Sequence, residues 1–150
     1  MEYSGKTLSV NMLASGAAKL TFDLSNSSVN KFNKETLEEL RSAVAVLKKA
    51  DITGLIFSSA KSAFIVGADI TEFTGMFASS ESEITEWLAE GNQIFNDIED
   101  LPYPTVTAIN GVALGGGFEM ALLRMLAFRP GTLGDGPTVS APVSQARAPE

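Results

Sequence analysis

The sequence contains no cysteine and no histidine. Those absences exclude disulfides, thiolate nucleophiles, zinc held by Cys or His, and any triad that relies on an imidazole base. Acid–base chemistry must then fall to Asp, Glu, Lys or Tyr, and no metal site is expected. No apolar run approaches the roughly 20 residues needed to cross a bilayer. The opening Met1-Glu2-Tyr3-Ser4-Gly5-Lys6 lacks the basic-then-apolar order of a secretory signal. No membrane span is expected, and the absence of cysteine fits a reducing cytoplasm, which is the expected location. Positive charge is also scarce. Eleven Lys and Arg against 18 Asp and Glu give a net charge of −7, which argues against nucleic-acid or anionic-membrane partners. A local basic patch can still hold one anionic ligand.

What is present is a globular composition. With 150 residues and 45% hydrophobic content, the chain is long enough for one domain with a real core. Leu20, Phe22 and Leu24 alternate with polar residues and predict a half-buried strand over 19–24, which Leu8 to Met12 can pair. Asn33 is a good N-cap. After it Leu37, Leu40, Val44 and Leu47 recur at helical spacing, with Glu38 and Glu39 early and Lys48 and Lys49 late. Ile52 to Ser58 suits a buried parallel strand. The stripe Ile84, Trp87, Leu88, Gly91, Ile94, Phe95 and Ile98 predicts a second helix over about 81–100, stopped by Pro102 and Pro104. Thr105 to Asn110 reads as another buried strand and Phe118 onward as a helix. Strands alternating with helices predict an α/β fold. No internal sequence repeat is visible.

The stretch GVALGGGFEMAL (Gly111 to Leu122) places three adjacent glycines at a strand-to-helix junction, followed by Glu119. Glycines that open a helix leave backbone N–H groups uncovered at the positive end of its dipole, where an anion or a developing oxyanion can sit. The run is no P-loop, because no Gly-Lys-Ser/Thr follows, and it does not match G-x-G-x-x-G. An ordinary tight turn with a solvated Glu119 is the alternative. A second stretch, SAFIVGADITEF (Ser62 to Phe73), again reads as a strand end turning into a helix at Gly67-Ala68-Asp69. Here Asp69 has the alternative of simply capping that helix. Two such turns can each supply one N–H to a shared carbonyl oxygen.

Together these two stretches resemble the crotonase (enoyl-CoA hydratase/isomerase) superfamily, and SSVNKFN (Ser27 to Asn33) resembles its early loop around coenzyme A. The longer segments SSAKSAFIVGADITEF and WLAEGNQIFNDIEDLPYPTVTAINGVALGGGFEM are closest to the branch that opens a multifunctional bacterial fatty acid β-oxidation enzyme. The resemblance covers about residues 2–122. It implies a crotonase-like spiral of ββα units, of which only the N-terminal portion is here, and hydration of a 2-enoyl-CoA to 3-hydroxyacyl-CoA. A Δ3-Δ2 enoyl-CoA isomerase, or an inactive partial domain that at most binds coenzyme A, are the alternatives. It further implies oxyanion-hole N–H groups at Ala68 and Gly116 and a catalytic Glu119. Substrate-binding residues are implied at Lys31, Phe32, Val66, Gly67, Asp69, Gly115 and Gly117. Coenzyme A enters as part of the acyl-CoA thioester substrate, so no separate cofactor is expected. The implied partners are further copies of the chain, or a thiolase in the full-length complex.

The pattern breaks abruptly after Leu122. The family's second glutamate falls about twenty residues beyond the first, here at Val139, and the only Glu after Glu119 is Glu150. Four of the six prolines and three of the four arginines lie beyond Leu122, no lysine follows Lys61, and no apolar period is visible from Pro130. Residues 1–122 therefore read as a partial hydratase/isomerase domain. Residues 123–150 read as a tail foreign to it, expected to be disordered or translated out of frame.

Overall fold

A computed structural model of the chain describes residues 2–72, 80–122, 127–128 and 139–140, the last two pairs by backbone alone. Strands β1 (Tyr3–Ser4), β2 (Leu8–Met12) and β3 (Ala18–Phe22) form an antiparallel meander. Strands β4 (Leu55–Ser59), β5 (Thr105–Ala108) and β7 (Ala127–Phe128) continue the same sheet in parallel, in the order β1-β2-β3-β4-β5-β7. Parallel neighbours need long crossovers. Helix α1 (Lys34–Leu47) and helix α2 (Glu81–Glu99) supply them. Both begin as capping chemistry requires. The Asn33 side chain accepts from the Thr36 N–H at 2.8 Å, and Ser80 forms a reciprocal capping box with Glu83.

A second, smaller ladder decides where the site lies. β3 leads through residues 30–32 into α1. β4 leads through residues 65–68 into helical residues 70–72. β5 leads through β6 (Ala113–Leu114) into α3 (Gly116–Leu122). The middle segments of these three units lie side by side in parallel: Phe32 bridges Ala68, Ile65 bridges Ala113, and β6 pairs with β8 (Val139–Ser140). The backbone thus repeats a ββα path although no sequence repeat announces it. All the middle segments meet beyond the carboxyl ends of the main strands, the edge at which open α/β sheets bind ligands.

The core explains why this arrangement holds. Leu8, Leu20, Phe22, Phe57 and Phe64 on the strand side meet Leu40, Val44 and Leu47 of α1 and Ile94 and Ile98 of α2, all 3% exposed or less. Arg41 pairs with Glu90 and Lys48 with Asp97, each at 3.2 Å. The two pairs share one sequence offset, so α1 and α2 run parallel, as successive units of one path must. The stripe predicted for α2 is only half used. Ile94 and Ile98 are buried, whereas Leu88 is 51% exposed and Trp87 half-buried. The amino-terminal half of the helix overhangs a cavity instead of packing on the core.

Two polar side chains tie the layers together and carry no signature in the sequence. Buried Asn30 accepts from the Leu24 N–H and donates to the Phe22 and Phe64 carbonyls and to Ser59 Oγ. It pins the ends of β3 and β4 to the small ladder. Glu39 on α1 accepts from the Lys6, Thr7 and Leu8 N–H groups and from Thr7 Oγ1, at 2.7 to 3.3 Å. Desolvation pushes its pKa up, but these four hydrogen bonds outweigh it and hold the carboxylate below its ordinary value. A carboxyl lowered in the folded state stabilises above its unfolded pKa, and that stability is lost as pH falls through the folded value. Glu39→Gln is therefore expected to cost about 1–2 kcal/mol at neutral pH. The gap to the unmodified chain should narrow as pH falls below the ordinary glutamate value of about 4.3. Denaturant melts at pH 7 and pH 3.5 check this, and an equal gap at both would sink it.

Of the tail expected beyond residue 122, only β7 and β8 are among the described residues, and both are strands. The rest of that expectation lies outside the described residues.

Candidate active site

The two turns singled out in the sequence are neighbours in space. Gly67 and Gly115 adopt φ of +99° and +47°, backbone that a side chain disfavours. A Cβ on Gly115 would stand 3.9 Å from Gly67 Cα, and one on Gly67 would stand 3.3 Å from the Leu114 carbonyl oxygen. Between the turns the small ladder is continuous: the Leu114 N–H donates to the Ile65 carbonyl at 3.0 Å and the Phe64 N–H to Val112 at 2.9 Å. Gly117 packs still closer, since any Cβ there would run into the Ile65 carbonyl oxygen. That glycine lets α3 seat against the ladder, so it acts on the site through backbone packing.

After Gly115 the chain turns directly into α3. The Gly115 carbonyl accepts from the Phe118 and Glu119 N–H groups at 2.8 and 3.0 Å. Glu119 is thereby fixed in the first helical turn, as the sequence predicts. An apolar cavity of about 190 Å³ opens beside it. Phe32, Trp87 and Phe95 form its walls, and Ala68, Gly116 and Glu119 share its edge. Glu119 is the one carboxylate among the described residues that line it. The N–H groups of Ala68 and Gly116 have no hydrogen-bond partner among the described residues. Two unpartnered donors and a carboxylate on one apolar cavity can polarise a carbonyl and move a proton next to it.

The other residues expected to bind substrate divide into two groups. Phe32 contributes its ring. It is buried, meets Phe22 and Phe95 edge-on with centroids 6.1 and 5.7 Å apart, and forms the wall below Gly116. Its backbone is engaged by the ladder, donating to the Gly67 carbonyl and accepting from the Asp69 N–H. The Val66 N–H likewise donates to Asn30. Lys31 and Asp69 meet each other, with Nζ and Oδ2 2.6 Å apart. Asp69 also accepts from the Thr71 N–H and hydroxyl, which caps the following turn. Hydrogen bonds from Lys31 and then Thr71 hold its carboxyl at a pKa of about 2. This pair clips the first unit to the second beside the cavity and outside its lining. Trp87, part of the apolar stripe that the sequence predicts for α2, is a wall of the cavity. Its signal was present, since a lone tryptophan four residues before a mid-helix glycine leaves space beside it.

Comparison with known proteins gives four matches. The family model described as enoyl-CoA hydratase/isomerase matches residues 14–126. The fatty acid oxidation complex subunit alpha of Acinetobacter baumannii (strain SDF) is 53% identical over 124 residues, 82% of this chain and 17% of that protein. The chain thus spans about one sixth of that relative's length. The crystal structure of an enoyl-CoA hydratase from Bacillus anthracis superposes with a TM-score of 0.69 at 26% identity, over 82% of this chain and 46% of that one. An enoyl-CoA hydratase/carnithine racemase from Magnetospirillum magneticum gives 0.79 over 99% of this chain and 54% of that one, a likeness of fold alone at 18% identity.

Proposed function

Since the chain belongs to the enoyl-CoA hydratase/isomerase family, we propose that this cavity receives the acyl end of a coenzyme A thioester. The reaction is that of an enoyl-CoA hydratase of fatty acid β-oxidation. The observation that carries the reading is the pair of N–H groups, Ala68 and Gly116, without a partner among the described residues and sharing a cavity edge with Glu119. Adding water to a 2-enoyl thioester puts oxygen on C3 and a proton on C2, and the enolate formed between places its charge on the thioester oxygen. The two N–H groups stabilise that oxygen, and Glu119 moves the proton. Coenzyme A belongs to the substrate, so no separate cofactor is assigned. Gly67, Gly115 and Gly117 keep the two turns close, and Phe32 walls the acyl group. The same reading assigns residues 1–122 to the partial domain and 123–150 to a tail of different composition. It further assigns assembly with other copies or a thiolase partner, and a cytoplasmic location.

Isomerisation is the second reading, favoured by the single carboxylate among the described cavity residues. One carboxylate that takes the C2 proton of a 3-enoyl thioester and returns it at C4 completes the reaction alone. Hydration in this family uses two, and the second position is Val139. Its strand pairs in register with Ala113, just ahead of the glycines. The 150-residue chain is therefore expected to hydrate crotonyl-CoA feebly while exchanging C2 protons of butanoyl-CoA measurably in deuterated water. Loss of the enoyl absorbance and mass spectrometry read the two rates. Fast hydration would remove the need for a second carboxylate, whereas no binding and no exchange would overturn the acyl-CoA reading.

A further inference from the structure

The face of α2 that overlooks the cavity has a gap. Trp87, Gly91 and Phe95 are four residues apart, so they stack along one helical stripe, and all three border the cavity. Gly91 is the odd member, because glycine in mid-helix weakens the helix relative to any ordinary residue. Its backbone does not require it: its φ lies outside the positive region, and a Cβ placed on it meets no atom of the described residues within 4 Å. Gly117, against Ile65, shows the opposite case. Among the described residues, then, Gly91 leaves space beside it, and it borders the cavity.

We propose that Gly91 sets the depth of the acyl pocket, admitting a medium-length acyl group that a larger side chain at this position would exclude. The proposal rests on the acyl-CoA reading above and adds the chain-length class to it. A cavity of about 190 Å³ exceeds the ~150 Å³ that holds a benzene ring, so it takes roughly six to eight carbons. Its walls are aromatic and aliphatic, which suits an unbranched hydrocarbon. Gly91 also borders a smaller cleft of about 70 Å³ on the α1 side, where the charged Lys34, Glu38, Arg41 and Glu90 stand beside Leu37, Trp87 and Ile94. An apolar side chain grown from position 91 goes to the larger, apolar space.

Trp87 is the only tryptophan of the chain, so its fluorescence reports occupancy directly. The full 150-residue chain is titrated with coenzyme A and with butanoyl-, hexanoyl- and octanoyl-CoA, none of which is turned over to a new product. Each methylene that enters the cavity is expected to tighten binding about fourfold. Gly91→Leu should erase that increase from butanoyl- to octanoyl-CoA while leaving affinity for coenzyme A, which carries no acyl group, unchanged. Gly91→Ala should keep most of it and melt no lower than the unmodified chain, because alanine favours the helix. If Gly91→Leu keeps the full gain with chain length, the pocket-depth proposal is wrong. If the unmodified chain binds all three acyl-CoA species equally, the acyl-CoA reading stands and the proposal fails. If it binds none, the reading fails and the proposal with it.

Discussion

Glu119→Gln is expected to lower C2 proton exchange and any isomerisation by about 10²–10⁴-fold, while acyl-CoA affinity stays close to that of the unmodified chain. Glutamine has the shape of glutamate and can still accept a hydrogen bond, but it cannot take a proton. The position itself should survive the change, because Glu119 is fixed by its own backbone N–H to the Gly115 carbonyl and the helix behind it. No other carboxylate among the described residues lines the cavity, and Asp69, outside the lining, is tied to Lys31 and Thr71. Exchange followed by mass spectrometry measures the chemistry, and Trp87 fluorescence measures binding. A Gln variant that exchanges as fast as the unmodified chain would remove Glu119 from the mechanism.

Gly116→Pro tests the other half of the site. Proline has no N–H, and at the first position of a helix its ring is well tolerated. Gly116 is that position in α3. The variant should lose one oxyanion donor and keep the helix, lowering turnover by about 10²–10³-fold. It should also weaken the red shift that a conjugated enoyl thioester shows when its carbonyl oxygen is polarised. Gly116→Ala is the control. It keeps the N–H, and its Cβ would stand 3.1 Å from Phe32 Cδ2, a contact that a small ring movement relieves. Alanine should therefore keep most of the turnover and the red shift that proline loses. Equal behaviour of the two variants would assign the effect to crowding against Phe32, and an unaffected proline variant would rule out this N–H as a donor.

Much of the site was legible because local chemistry writes it. A strand, glycines and an acid in that order produce a helix start with free N–H groups and a carboxylate in its first turn, wherever the segment lies. Residues 111–119 obeyed that rule, whereas at 64–69 the acid, Asp69, caps the turn that follows instead of lying in it. Asn30, Glu39 and Trp87 could not be read the same way. Asn30 matters because the Phe22–Leu24 stretch, Ser59 and Phe64 converge on its amide, and Glu39 because the bend before β2, more than thirty residues away in sequence, presents three N–H groups to it. Trp87 fits a helical stripe equally well whether core or cavity lies beneath it.

The sequence by itself determined the elements: the α1 boundaries through Asn33 and the period of Leu40, Val44 and Leu47, the strands through apolar alternation, and Glu119 as the acid of a Gly-opened helix. These rest on interactions spanning a few residues, which composition and spacing encode directly. Only the tertiary structure decided that the middle segments of successive units lie side by side, bringing Ala68 and Gly116 to one cavity edge. It also turned Lys31 toward Asp69 and set the amino-terminal half of α2 along the cavity. Those outcomes depend on which surfaces meet when a parallel sheet closes through long crossovers, and no local period records that choice.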